Sequence, residues 1–341
     1  MLECIKDEMI VASLFVSSVL LGGIGAFVVM KFGPVLDLVD VPNNRSSHDT
    51  PTPKGGGIGI LAVFMLTALV EDIPIGFWVP VTFLALVSLF GDMRNLSVLL
   101  RLVVQFTAAV VVLVSIIVAG QSTLISTLRI ISVIAVAGLF LIYIAGSANI
   151  YNFMDGINGI AAVTGVVAFS LLAWYASLIE FGSSYMVLCL CMACACLGFL
   201  PFNMPRAKVF MGDVGSILLG FVFALMTIVL ADNFTVFCAL ASCLFFFYAD
   251  ELTTMYLRVR DGERLSKPHR RHLYQLLVNE MGIQHWKVSL GYGVCQLCIG
   301  YSSLVVTPHG PLVVFGLLGL YFLGFAAISH RVRGYVIKRN L

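Results

Sequence analysis

"IISVIAVAGLFLIYIAGSANIYNFMDGIN", residues 130–158, starts as an uncharged apolar run and ends in a ladder of amides with one carboxylate. The apolar part approaches the ~20 residues that a helix needs to cross a bilayer. Its end has no lysine or arginine, yet Asn149, Asn152, Asp155 and Asn158 recur every third position. On a helix, positions three apart drift by about 60° per step, so Asn149, Asn152 and Asp155 share one face. Gly156 and Gly159 leave that face open to a second backbone or a ligand. Carboxylates and amides at membrane depth are costly unless partnered, and they mark functional sites. A solvated turn is the plainer reading, but Tyr151, Phe153 and Met154 make the segment mostly apolar.

The same pattern fills the chain. Its 341 residues are 60% hydrophobic and 11% charged, with a mean hydropathy of +1.01. A soluble domain carries about 25% charged residues. Uncharged runs recur near 9–30, 57–70, 76–91, 102–119, 129–146, 159–179, 185–201, 214–231, 233–249, 288–306 and 311–329. The expectation is an all-α polytopic integral membrane protein of about eleven transmembrane helices, the second and third being the shortest. A membrane β-barrel would need alternating polar residues, which these runs lack.

Orientation follows from the lysine and arginine bias between spans. One set of loops and the C-terminal tail hold 18 of the 20 basic residues, all except Lys6 and Arg129. That side is read as cytoplasmic, which puts the N-terminus outside (periplasmic, in a bacterium) and the C-terminus in the cytoplasm. The opening "MLECIKDEMI" lacks the basic n-region of a cleavable signal peptide, so the first span is expected to stay as an anchor.

A net charge of +2 says little about partners, and no basic patch with stacking aromatics points to nucleic acid. Of the nine cysteines, Cys189, Cys191, Cys194 and Cys196 share one apolar span. Thiols there are small apolar residues rather than ligands. No internal repeat is visible.

The unusual polar residues collect in the cytoplasmic loops near 31–56, 91–101, 146–159, 202–213 and 250–287, so the chain reads as a single domain, 1–341, with its site at one membrane face. In "VFMGDVGS", Asp213 either caps the following span or supplies a hard oxygen ligand suited to Mg²⁺, beside glycines whose backbone N–H groups favour anions. In "KPHRRHLYQ", His269, Arg270, Arg271 and His272 read as a phosphate clamp, or else as an orientation signal. Asp92 either pairs with Arg94 at the end of the third span or joins the other carboxylates. Carboxylates, a divalent cation and cationic donors on one face are the equipment for phosphoryl transfer.

From about Val39 to Gln275 the chain resembles the bacterial polyprenyl-phosphate N-acetylhexosamine-1-phosphate transferases, glycosyltransferase family 4, in the superfamily of the phospho-MurNAc-pentapeptide translocases. "DVPNNRSSHDTPTPKGGG" is similar to the first loop of that family, with Asp40, Pro42, His48 and the glycines matching. "NIYNFMDGINGIA" and "VFMGDVGS" resemble its two most specific motifs, and "HRRHLYQ" resembles the histidine motif of branches that start O-antigen or similar glycans.

The resemblance implies transfer of a sugar 1-phosphate from a UDP-N-acetylhexosamine to undecaprenyl phosphate, with release of UMP and with Mg²⁺, or Mn²⁺ in its place. It implies Asp92, Asp155 and Asp213 as catalytic residues, with Asp213, and Asp92 beside it, on the metal. It places His48, Asn149, Asn152, Asn158, Phe210, His269, Arg270 and His272 on the substrates, Phe210 against the uracil. Members of the superfamily are often homodimers.

There are two departures. The usual paired aspartates read Gly91-Asp92 here, and Asn158-Gly159 stands where many members have a second Asp-Gly. An ion-coupled secondary transporter would instead gather its polar groups at the bilayer midplane on broken helices. An inactive membrane scaffold is the other rival, on the strength of Gly91. Neither the identity of the UDP-sugar nor the glycan pathway is written in a loop residue.

Overall fold

A computed structural model describes residues 2–42, 47, 49–94, 96–126, 130–179, 183–265 and 269–339. Among them run eleven apolar helices: α1 (Leu2–Phe32), α2 (Ile58–Val70), α3 (Ile75–Arg94), α4 (Val98–Val118), α5 (Ile130–Met154), α6 (Ile160–Ala176), α7 (Ser183–Asn203), α8 (Asp213–Leu230), α9 (Phe234–Arg260), α10 (His285–Val305) and α11 (Pro311–Arg339). A 3₁₀ turn at Ser242–Leu244 interrupts α9. By length and composition, nine of the eleven can cross a membrane; α2 and α6 are shorter. The protein is a multi-pass, all-α membrane protein.

The helix α8 is the centre. Every residue from Val214 to Leu230 is buried, as expected of a helix that is hydrophobic all round. Lipid tails are as apolar as leucine, so close backbone approach has to supply much of the packing. A Cβ on Gly220 would lie 2.6 Å from the Ser147 carbonyl oxygen, which fixes α8 hard against α5. Likewise, a Cβ on Gly198 of α7 would collide with the Val19 carbonyl oxygen of α1. The outermost helix, α11, shows the opposite pattern: Leu312, Leu320, Leu323 and Ile328 are exposed.

Two helices run past the apolar runs that announce them. α5 continues through Asn149 and Asn152 to Met154, because Tyr151 and Met154 extend its buried face. α9 continues to Arg260, although Asp250, Glu251 and Arg258 are buried along it. Asp250 is tolerated because its carboxylate accepts from the Leu273 and Tyr274 amides at 2.8 and 3.3 Å and from the Tyr292 hydroxyl at 2.8 Å. These bonds hold the segment after His272 against α9 and α10.

Candidate active site

Loops one and four are stitched together by backbone. The strands β1 (Val39–Asp40) and β2 (Thr52–Pro53) pair antiparallel, with Val39 opposite Pro53. The Phe210 amide donates to the Pro53 carbonyl at 2.8 Å, and the Gly56 and Gly57 amides donate to the Phe210 and Met211 carbonyls at 2.9 Å. This ladder brings Lys54 and Asp213 to one place from 159 positions apart in the chain. Gly212 adopts φ 74° and ψ 169°, a conformation essentially restricted to glycine. A Cβ there would sit 2.6 Å from the Gly55 amide nitrogen and 2.8 Å from Asp92 Oδ2.

The result is a cavity of about 300 Å³ at the ends of α3, α5, α7 and α8. Asp92, Asp155 and Asp213 line it together with Asn152, Asn158 and Phe210. Asp92 is only 7% exposed. Its Oδ1 lies 3.9 Å from Lys54 Nζ. The amides of Asp213 and Val214 face its carboxylate, yet Oδ2 is buried without a hydrogen bond. Asp213 Oδ2 is bound by Arg101 Nη1 at 2.5 Å. Burial pushes the Asp155 carboxyl well above the usual carboxylate range, and the neighbouring Asp213 and Asp92 add to the shift.

Each amide of the ladder has its own partner. Asn152 Oδ1 accepts from the Ser216 hydroxyl at 2.8 Å, which sets its angle from α8. Asn158 is fixed through its backbone: its N–H donates to His285 Nδ1 at 3.2 Å, and its carbonyl accepts from Ser289 at 2.8 Å. Asn149 lies one turn deeper, where its Nδ2 donates to Gln105 Oε1 at 2.6 Å and to the Ala145 carbonyl at 2.7 Å. It is not among the residues lining the cavity.

The histidine motif lies behind this wall rather than on it. His272 is buried, with Nε2 3.4 Å from Glu251 Oε2 and Nδ1 3.8 Å from Asp250 Oδ1. The His269 ring lies against it at a tilt of 44°, with centroids 4.8 Å apart. Burial, with His272 and Arg258 nearby, pulls His269 down to about 4. Arg271 is held by Asp261 and Glu263 at 2.5 and 2.6 Å. From this motif it is Gln275 that reaches the cavity. His48 lies outside the described residues.

Lys54, Arg101, Asn203 and His285 belong to the site although no motif reading selected them. In the sequence Lys54 and Arg101 are loop charges like the other lysines and arginines of the cytoplasmic side. Asn203 lines the cavity and fixes its rim: Oδ1 accepts from the Gly159 amide at 2.6 Å and Nδ2 donates to the Val209 carbonyl at 2.9 Å. It and His285 are single polar residues at helix ends, with no periodicity to betray them. At the altered aspartate pair, a Cβ on Gly91 would lie 3.5 Å from Arg101 Nη2, so the guanidinium that binds Asp213 also faces position 91.

Among the described residues, no three His, Cys, Asp or Glu side chains are gathered so as to hold a metal ion by themselves. That does not conflict with Mg²⁺, which is commonly bound by one or two carboxylates plus substrate phosphates and water. The buried, unbonded Asp92 Oδ2 beside Asp213 is a donor of the required kind.

Fold and site together define a polytopic membrane protein with an acidic and cationic pocket at helix ends. Residues 74–231 match the glycosyl transferase family 4 model. The chain is 30% identical to the decaprenyl-phosphate N-acetylglucosaminephosphotransferase of Mycobacterium tuberculosis, over 87% of each chain. It is 30% identical to the protein of the same name from Mycobacterium leprae, over 75% of this chain and 73% of that one. A phospho-N-acetylmuramoyl-pentapeptide-transferase of Staphylococcus saprophyticus is 35% identical over 46% of this chain and 50% of its own. The chain belongs to glycosyl transferase family 4, the membership expected from its loop motifs.

Proposed function

We propose that this protein transfers an N-acetylhexosamine 1-phosphate from a UDP-sugar to undecaprenyl phosphate, giving undecaprenyl-diphosphate-sugar and UMP, as the first step of an O-antigen or related cell-surface glycan. The observation that carries this reading is the cavity itself: Asp92, Asp155 and Asp213 with Lys54 and Arg101, at the ends of membrane helices. A lipid phosphate held in the bilayer must meet a soluble nucleotide there. The long match to relatives named for N-acetylglucosamine phosphate supports an N-acetylhexosamine as the sugar.

In this reading an oxygen of the lipid phosphate attacks the β-phosphorus of the UDP-sugar. The bond from that phosphorus to the bridging oxygen breaks, and UMP leaves with the electron pair. A phosphate monoester has a second pKa of ~6, so the acceptor is already mostly a dianion at pH 7 and needs little base. Asp92 and Lys54 orient the acceptor, and Arg101 stabilises the charge that develops on the diphosphate. Asp213, with Asp92, would hold Mg²⁺, which neutralises diphosphate charge when bound.

A neighbouring depression of about 600 Å³ shares Asn158, Phe210 and His285 with the cavity and extends to Arg206 and Trp286. It suits the nucleoside, with Phe210 at the boundary between base and diphosphate. The basic loops support a cytoplasmic location for the site, at the inner membrane.

The test is exchange: membranes given labelled UMP and undecaprenyl-diphosphate-N-acetylglucosamine should form labelled UDP-sugar. Absence of exchange with every N-acetylhexosamine tried would refute the reading.

A further inference from the structure

Away from the cavity, a groove of about 690 Å³ separates the C-terminal halves of α9 and α11. Leu252, Leu257, Leu276, Phe322, Ala326 and Ile337 form its apolar walls. Arg260, Arg271, His330 and Arg333 also border it. Arg260 and Arg271 are committed to the carboxylates of Asp261 and Glu263. Arg333 is held differently. Its Nε donates to the Ser329 hydroxyl and its Nη2 to the Thr254 hydroxyl, both at 3.1 Å. Among the described residues, it makes no salt bridge. A guanidinium anchored by two neutral hydroxyls at the end of an apolar groove keeps its charge available for an anion.

We infer that this groove binds an anionic phospholipid, with an acyl chain along Leu252, Phe322 and Ile337 and the phosphate on Arg333. Two observations choose this occupant. Along α11 the described buried residues are only Val314, Phe325 and Ser329, so its apolar surface and the groove beside it border the bilayer. The basic residues His330, Arg331, Arg333, Lys338 and Arg339 crowd the end of α11 where lipid headgroups lie.

The groove is not the acceptor site of the proposed reaction. It shares no lining residue with the catalytic cavity, and the consecutive residues Gln275 and Leu276 line one each. A phosphate on Arg333 is therefore held apart from Asp92 and Asp213. The inference stands whether or not the proposed reaction is correct.

Purified full-length protein, delipidated in neutral detergent, is titrated with phosphatidylglycerol, phosphatidylcholine, undecaprenyl phosphate or inorganic phosphate, and bound lipid is counted by native mass spectrometry. Phosphatidylglycerol should be retained over phosphatidylcholine. Arg333→Gln should weaken its retention roughly tenfold, the scale of a lost charge-assisted hydrogen bond. Gly334→Leu provides a second variant that does not touch the cation. Gly334 lines the groove and a Cβ there meets nothing within 4 Å, so a leucine side chain starts in open space and takes up groove volume. It should also weaken phosphatidylglycerol retention, and this variant carries the test should Arg333→Gln fail to fold.

Equal retention of the two phospholipids, or retention unchanged in the variants, overturns the inference. Full displacement by inorganic phosphate overturns it too, because the apolar groove would then contribute nothing. If undecaprenyl phosphate displaces phosphatidylglycerol and both variants weaken it equally, the groove is a site for the acceptor lipid, and the inference fails.

Discussion

Gly212→Ala should damage the site through both backbone strain and a clash with Asp92. At φ 74° and ψ 169°, a residue with a side chain is strained by about 1–3 kcal/mol. The added Cβ also falls 2.8 Å from Asp92 Oδ2, where an ordinary contact begins at 3.4 Å, so the carboxylate must retreat by 3.4 − 2.8 = 0.6 Å. It falls 2.6 Å from the Gly55 amide nitrogen as well, which is backbone held in the loop ladder. Overpacking of this kind costs typically ~1–3 kcal/mol, so the total is about 2–6 kcal/mol. Misplacing a reacting group by about 1 Å can lower a rate ~100-fold, and a shift of this size on Asp92 should lower kcat by one to two orders of magnitude. The assay is UMP release from UDP-sugar and lipid phosphate, run beside a thermal melt in detergent. Gly316→Ala is the control, because a Cβ there meets nothing within 4 Å. A Gly212→Ala protein with unchanged melting and full kcat would refute the placement of Asp92 against the start of α8.

Asp213→Asn should abolish transfer while the protein stays folded, since Gly212 is the N-cap of α8 and no side chain caps it; EDTA should stop the wild-type reaction and Mg²⁺ restore it, and an active variant would leave Asp213 as no more than a partner of Arg101. His272→Ala removes the partner of buried Asp250 and Glu251, so it should lower the melting stability by roughly 1–3 kcal/mol, whereas Arg270→Ala, at an exposed position that does not line the cavity, should change it by no more than ~0.5 kcal/mol. His269 titrates at about 4 when folded, against 6.5 ordinarily, so the unfolded chain binds the extra proton first. Stability of the fold around His269 should therefore fall as pH drops from about 6.5 to 4, read by limited proteolysis, and His269→Gln should flatten the profile. Because position 91 carries no carboxylate, UDP-sugar alone should release no burst of UMP; one equivalent per enzyme without lipid acceptor would demand a covalent sugar-phosphate intermediate and sink direct attack.

Much of the fold was legible because a bilayer punishes every unpaired backbone group, which forces each long apolar run into a helix whatever its neighbours do. The runs therefore announced the eleven apolar helices among the described residues, nine of them long enough to cross a membrane, and the ladder Asn149–Asn158 announced a polar end to α5. The helix ends were less legible. Asp250 and Glu251 read as the start of a loop, and only their buried partners, His272 and the Leu273 and Tyr274 amides, allow α9 to continue through them.

Motifs also named the carboxylates Asp92, Asp155 and Asp213, because these residue types at membrane ends have few plainer uses. What the sequence by itself could not assign was partnership. Lys54 and Arg101 carry the same charge as any loop lysine or arginine, and only the backbone ladder between loops one and four, with α4 packed on α3 and α3 on α8, puts them on Asp92 and Asp213. His272 looked like a ligand from its neighbours in the chain, and its neighbours in space make it a buried partner of Glu251. Chain periodicity encodes which face of a helix is apolar, a local property. Which charges meet across 38 or 112 residues depends on how the helices pack, and that was decided only when Gly198, Gly212 and Gly220 let their backbones close on Val19, Gly55 and Ser147.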